Sequence, residues 1–76
     1  MQNETAVYYL KDLGLLIKEQ ALAAKARQSA SEDAYDLGYR MAYYEIVSLM
    51  QSQANAFGIP LSDISLSDIE AEKDLL

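Results

Sequence analysis

The chain is expected to be all-α: an antiparallel two-helix hairpin plus a short C-terminal helical segment, dimerising into a four-helix bundle. Three observations predict this. Apolar residues recur at steps of three and four along two long stretches, the spacing of one helical face. A Ser-x-x-Glu run, the signature of a helix start, separates the stretches. Gly58 and Pro60, which punctuate helices, stand together just past the second stretch. At 76 residues the chain is expected to be a single helical domain, 1–76.

The first helix is predicted over 4–28. Asn3 or Thr5 can cap it by accepting from free N–H groups of the first turn. Ala6, Leu10, Leu13, Ile17, Ala21 and Ala24 share one face, widened by Tyr9 and Leu16 on one side and Val7 on the other. Lys11, Lys18 and Lys25 recur every seven residues, as do Asp12 and Glu19, which is the period of a helix in a left-handed bundle. The lysine row reads as a solvated flank. Tyr8, Leu15 and Leu22 form another row at the same period, pointing away from the main stripe, and read as a second contact face. Gly14 costs about 1 kcal/mol against Ala inside a helix. It is expected to make room for a large side chain of the second helix.

Ser29-Ala-Ser-Glu32 matches the capping box, and Glu32, Asp33 and Asp36 suit the positive end of a helix dipole. The second helix is therefore placed over 30–57. So short a connection makes the two helices antiparallel neighbours. The second helix holds four of the six tyrosines (Tyr35, Tyr39, Tyr43 and Tyr44) and the only phenylalanine, Phe57. Its main stripe is Tyr35, Gly38 and Tyr39, Ala42, Ile46, Leu49 and Met50, and Phe57, flanked by Tyr43 and Val47. Leu37, Met41 and Tyr44 fall on another side. Asp36 and Arg40 can pair at a spacing of four. Tyr35, Tyr39 and Tyr43 form a ladder that suits either a core rim or an interface. Gly58 is expected to close the helix in a left-handed conformation, with Pro60 blocking its continuation.

Folding the chain about residues 29–30 sets Ala24 against Tyr35, Ala21 against Gly38, Ile17 against Ala42, Leu13 against Ile46 and Leu10 against Leu49. Ala21, Ala23 and Ala24 thus lie near the tyrosines and large aliphatics lie opposite aliphatics, the complementarity a packed core requires. Two helices of about 39 Å each make a thin slab with apolar stripes left over. Two slabs face to face bury those stripes as a four-helix bundle. Size argues the same way, because a core this small supplies only about 3–5 kcal/mol. With no Cys and no His, disulfides and the usual metal ligands are not at hand. Self-association is the remedy left, and a homodimer is expected.

Residues 61–76 are expected to be an acidic C-terminal arm or short helix. Leu61-Ser-Asp-Ile64 and Leu66-Ser-Asp-Ile69 form a near-repeat. Ser67-Asp-Ile-Glu70 resembles a second capping box, opening a helix over Ile69 to Leu75. The expectation is that these turns fold back over the bundle end; the other reading is an arm that docks on a partner.

Most chemistry is excluded. Without His or Cys there is no Ser–His or Cys–His nucleophile, no thiolate or imidazole metal site and no Glu-x-x-His motif. The three glycines are isolated, so there is no phosphate loop, and no EF-hand spacing occurs. Asp33 and Asp36 read as a solvated face, and Glu45 as an ion-pair partner across a dimer. No catalytic, cofactor-binding or metal residue is assigned, and no enzyme is expected. The net charge of −6, with −4 in residues 62–76, disfavours nucleic acid and anionic lipid. The start MQNETAV lacks a signal-peptide pattern, and no apolar run approaches the ~20 residues of a membrane span. A cytoplasmic protein without membrane contact is expected.

The functional expectation is a small protein-interaction module: a regulator, adaptor or inhibitor binding another protein through helical apolar and tyrosine surfaces. The interface candidates are Tyr8, Leu15, Leu22, Leu37, Met41 and Tyr44. Two other readings are a structural subunit of a larger assembly and an acidic decoy of a nucleic-acid-binding protein. The decoy would act through Asp68, Glu70, Glu72 and Asp74.

Overall fold

The two amphipathic stretches form two long helices, and a computed structural model describes residues 4–31 and 33–76. Helix α1 spans Glu4–Ser29 and α2 spans Ala34–Ala56. A 3-10 turn at Leu61–Ile64 and a short α3 at Ala71–Leu75 follow. Among the described residues there is no strand. Of the two expected caps of α1, Asn3 lies outside the described residues and Thr5 is already inside the helix.

The turn between the helices differs from expectation. Ser29 does not cap α2; its hydroxyl donates back to the Lys25 carbonyl at 2.9 Å, inside α1. The Ala30 and Ser31 N–H groups also still bond to Arg27 and Gln28, so α1 winds on past the expected stop. The cap is Asp33, whose carboxylate accepts from the Tyr35 N–H at 2.9 Å. Its backbone is extended, as a capping residue requires. Helix α2 therefore starts at Ala34 and not at residue 30. Glu32, the other half of the expected box, lies outside the described residues.

The later start shifts the pairing of the helices by about one turn. Near the turn, Arg27 Nε bonds Asp36 Oδ1 at 3.1 Å, and its guanidinium lies 4.4 Å from the centre of the Tyr39 ring. At the open end, Leu10 shares a cleft with Met50, Gln53, Ala54 and Phe57, beyond the expected partner Leu49. Asp36 is engaged by Arg27, so the expected Asp36–Arg40 pair does not form. Helix α2 ends as expected: Gly58 adopts φ +70°, and the Ile59 N–H reaches back to the Ala54 carbonyl at 2.8 Å.

The tail departs furthest from expectation. It does not cover the bundle end; it runs back along one face of the hairpin, from the open end toward the turn. Ser65 Oγ donates to the Lys11 carbonyl at 2.9 Å, and Lys18 Nζ bonds Asp68 at 3.0 Å. Lys25 and Arg40 both donate to the Leu76 carbonyl oxygen. The lysine row read as a solvated flank is thus the track along which the tail lies. From α2, Gln51 Nε2 donates to the carbonyls of Leu66 (3.1 Å) and Ile69 (2.9 Å). The Lys18 ammonium bonded to Asp68 pulls that carboxyl below its ordinary 3.8, against a smaller opposing effect of burial. Asp68 is held there, so Ser67 starts no helix. Helix α3 begins at Ala71, and the Asp74 carboxylate accepts the Glu70 N–H at 2.9 Å.

The apolar members of the near-repeat all turn inward. Ile64, Leu66, Ile69, Ala71 and Leu75 form one core with Ala21, Val47 and Ala54, against which Ile17, Tyr43, Tyr44, Met50 and Leu61 pack. This third wall explains why α2 presents a different face from the one expected. Its inner residues are Val47 and Ala54, while Tyr35, Ala42, Ile46, Leu49 and Phe57, expected at the seam, are exposed. The seam lies one position later along α2, a rotation of about 100°. That rotation lets α2 cover the tail and α1 together.

Gly14 also has a different partner from the one expected. It makes room for main chain and not for a side chain of α2. A Cβ at Gly14 would overlap the carbonyl oxygen and carbon of Ile64. Gly38 has open space around it.

Two predictions follow from this packing. Gly14→Ala should destabilise the fold by about 1–3 kcal/mol in urea unfolding, because the clash outweighs the gain in helix propensity. Gly38→Ala should instead stabilise by up to about 1 kcal/mol; equal effects of the two would show that the tail does not bear on Gly14. Gln51→Ala should cost about 1–3 kcal/mol by leaving two part-buried carbonyls without their donor. Faster amide hydrogen exchange confined to residues 64–75 would report it, and unchanged exchange there would refute it.

Candidate interaction face

A simple positional rule sorts each helix into faces. On α1, Leu10, Ile17 and Ala24 point toward α2. One position later stand Lys11, Lys18 and Lys25, on the side of the tail. One position earlier stand Tyr9, Leu16 and Ala23, on the opposite side. On α2, Tyr43, Val47, Met50 and Ala54 point inward. One position later stand Tyr44, Ser48, Gln51 and Asn55; the last three line a polar depression of about 720 Å³ with Glu70, Ala71, Glu72 and Lys73. One position earlier stand Ala42, Ile46, Leu49 and Gln53, again on the side away from the tail.

The hairpin therefore has one face closed by the tail and one face open. The open face holds Tyr9, Leu16 and Ala23 from α1, and Tyr35, Ala42, Ile46, Leu49 and Phe57 from the second helix and its end. Its large side chains are well exposed: Tyr9 63%, Leu49 64%, Tyr35 71% and Phe57 75%. With Leu10, Leu16 and Ile46 they show on the order of 800 Å² of surface, above the roughly 300–600 Å² of a typical largest apolar patch. Charge stands beside them: Arg27 lies over Tyr39 at the turn end, and exposed Asp12 and Glu19 follow Tyr9 and Leu16 at a spacing of three.

The two ends of this face differ in shape. Near the turn, Tyr35 stacks on Tyr39 with centroids 6.1 Å apart, and Tyr39 meets Tyr43 at 5.3 Å. The guanidinium of Arg27 lies over Tyr39, so Tyr35 stands out from a braced ladder. Hydrogen bonding with Tyr39 raises the Tyr43 phenol above its ordinary 10.0, and burial and the charge of Tyr39 push the same way. At the open end lies an apolar cleft of about 310 Å³. Buried Ala54 and Ile64 form its floor, Leu10 and Met50 its walls, and Gln53, Phe57 and Ile59 its rim.

The six candidate residues from the sequence do not come together. Tyr8, Leu15 and Leu22 are two positions before Leu10, Ile17 and Ala24, hence about 200° around the helix, on the outer edge of α1. Met41, two positions before Tyr43, stands likewise on the outer edge of α2, while Leu37, seven positions before Tyr44, is on the tail side. All five are exposed. Tyr44 is half-buried against the core. The open face consists instead of residues expected at the hairpin seam or beside it. The signal for this was the near-repeat in the tail, whose four large apolar residues suffice for a third wall.

Among the described residues, no group of three or more acidic side chains is placed to hold a metal ion, and no helix is long and apolar enough to cross a membrane. No protein-family model, curated protein or solved structure matches the chain. The functional reading therefore rests on the open face.

The tyrosine ladder can be titrated by absorbance. Tyr43 should ionise above 10.0, and Tyr39→Phe should bring it back toward that value. Since the raised value belongs to the folded state, the linked stability is present below the ordinary value and lost as pH rises through the folded one. An unchanged titration in Tyr39→Phe would show that the ladder does not couple the two phenols.

Proposed function

We propose that the chain is a small non-enzymatic protein-interaction module of the cytoplasm. It acts as a regulator, adaptor or inhibitor by covering an apolar surface of another protein chain. The observation that carries this reading is the open, mainly apolar face of Tyr9, Leu16, Tyr35, Ile46, Leu49 and Phe57. A hairpin that seals one side with its own tail and leaves the other bare is half of a packed assembly. Two hairpins joined through that face make a four-helix bundle with both tails outside. The face is mainly apolar, with Arg27 at its turn end, so its contact would be driven largely by apolar burial.

A second reading, the structural subunit, is favoured by one observation. The outer edge of α1 carries an exposed apolar row, Tyr8, Leu15 and Leu22, and α2 exposes Leu37 and Met41 away from the open face, so lateral contacts could extend an assembly. The decoy reading gains less support. Of its four carboxylates, Asp68 is held by Lys18 and Asp74 by the Glu70 N–H.

Leu49→Asp tests the main reading. The variant should keep its helical content by circular dichroism and lose association at least about tenfold by sedimentation equilibrium, since a buried unpaired carboxylate opposes contact. Association as tight as that of the original chain would remove the face from the function.

A further inference from the structure

We infer that the occupant of the open face is a second copy of this chain, packed antiparallel across a two-fold axis at Ile46, with Tyr35 of each copy seated in the cleft of the other, a proposal that rests on the face being an interaction surface. The spacing along the second helix suggests the axis. Tyr35 and Phe57 are each eleven residues from Ile46, about 16 Å in either direction along a helix. A two-fold axis perpendicular to α2 at Ile46 exchanges these ends. It brings the protruding tyrosine of one copy to the apolar cleft of its mate.

Shape then selects the partner. An isologous contact needs a self-complementary surface, in which a projection and a hollow lie at equal distances from a centre. Tyr35 is a pre-set projection, because Tyr39 stacks beneath it and Arg27 holds Tyr39. Pre-ordering lowers the entropy lost on docking. The cleft of about 310 Å³ is roomy enough, since a cavity of about 150 Å³ already holds a benzene ring. Near the centre Ala42 is exposed on this face, one turn from Ile46, which lets the backbones approach. The parallel arrangement would set tyrosine on tyrosine and cleft on cleft, leaving both hollows unfilled against the close packing of interfaces.

Area and charge agree. Each copy offers on the order of 800 Å², the share of one partner in a standard interface. Two copies that each carry −6 repel, and the apolar side chains of this face are where they meet with least opposition of like charge.

The test uses the full chain, which contains no cysteine, so introduced thiols report contacts cleanly. Tyr35→Cys, Ile46→Cys and Phe57→Cys are each treated with a short bis-thiol cross-linker, singly and in mixtures, beside sedimentation equilibrium from micromolar to millimolar concentration. The expected result is a dimer in which Ile46→Cys links to itself and Tyr35→Cys links only to Phe57→Cys. Tyr35→Ala should weaken the dimer about 10–100-fold with helical content unchanged. A dimer in which Tyr35→Cys links to itself overturns the antiparallel arrangement while leaving the face an interface. A monomer throughout overturns the second copy as occupant. The face itself is then judged separately, by whether Leu49→Asp changes binding to a heterologous chain.

Discussion

The carbonyl of Ile64 lies against the backbone of α1 at Gly14, closer than any side chain at that position would permit. This approach sets how deeply the tail enters the groove between the helices. At that depth Leu66 and Leu75 are fully buried, each contributing about 1.5–3 kcal/mol of apolar transfer. Gln51 can then reach two tail carbonyls, and Lys18 meets Asp68. The roughly 1 kcal/mol that a mid-helix glycine sacrifices in propensity is small beside these gains. The tail also fixes which side of α2 faces inward. The open face is a consequence of how the other face is closed.

The elements that local chemistry specifies were legible in the residues. Apolar spacing located both long helices, and Gly58 with Pro60 located the end of the second. The boundary at the turn was less legible because Ser29 and Asp33 are both good caps. The choice between them depended on whether the Ser29 hydroxyl turned back into α1, which the spacing of residues does not reveal. Gly14 was recognised as a point of close approach, but a glycine does not say whether the approaching group is side chain or main chain.

For the open face, the residues revealed the material and not its destination. Both helices plainly carried more apolar surface than one neighbour could cover. Which part remained uncovered depended on a one-position rotation of α2, set by the tail fourteen or more residues away in sequence from Val47. Tyr44 illustrates the result. It shares a side of α2 with Leu37, seven positions earlier, yet Tyr44 packs against the core and Leu37 stays exposed. Ile46 and Leu49 moved the opposite way, from an expected seam to the open side.

The contacts that seat the tail join residues far apart in the chain, as with Lys18 and Asp68, separated by 50 positions. The contacts of the hairpin near its turn span far fewer. Loop-closure entropy and the slowness of long-range pairing therefore place hairpin formation first and tail docking last. In the interval the groove around Ala21 and Val47 is bare, and the tail hangs from the short hinge at Gly58 to Pro60. At high concentration a neighbour's tail can enter the same groove by the same contacts. Domain swapping is thus the characteristic misfolding route of this architecture, and dilution its natural remedy.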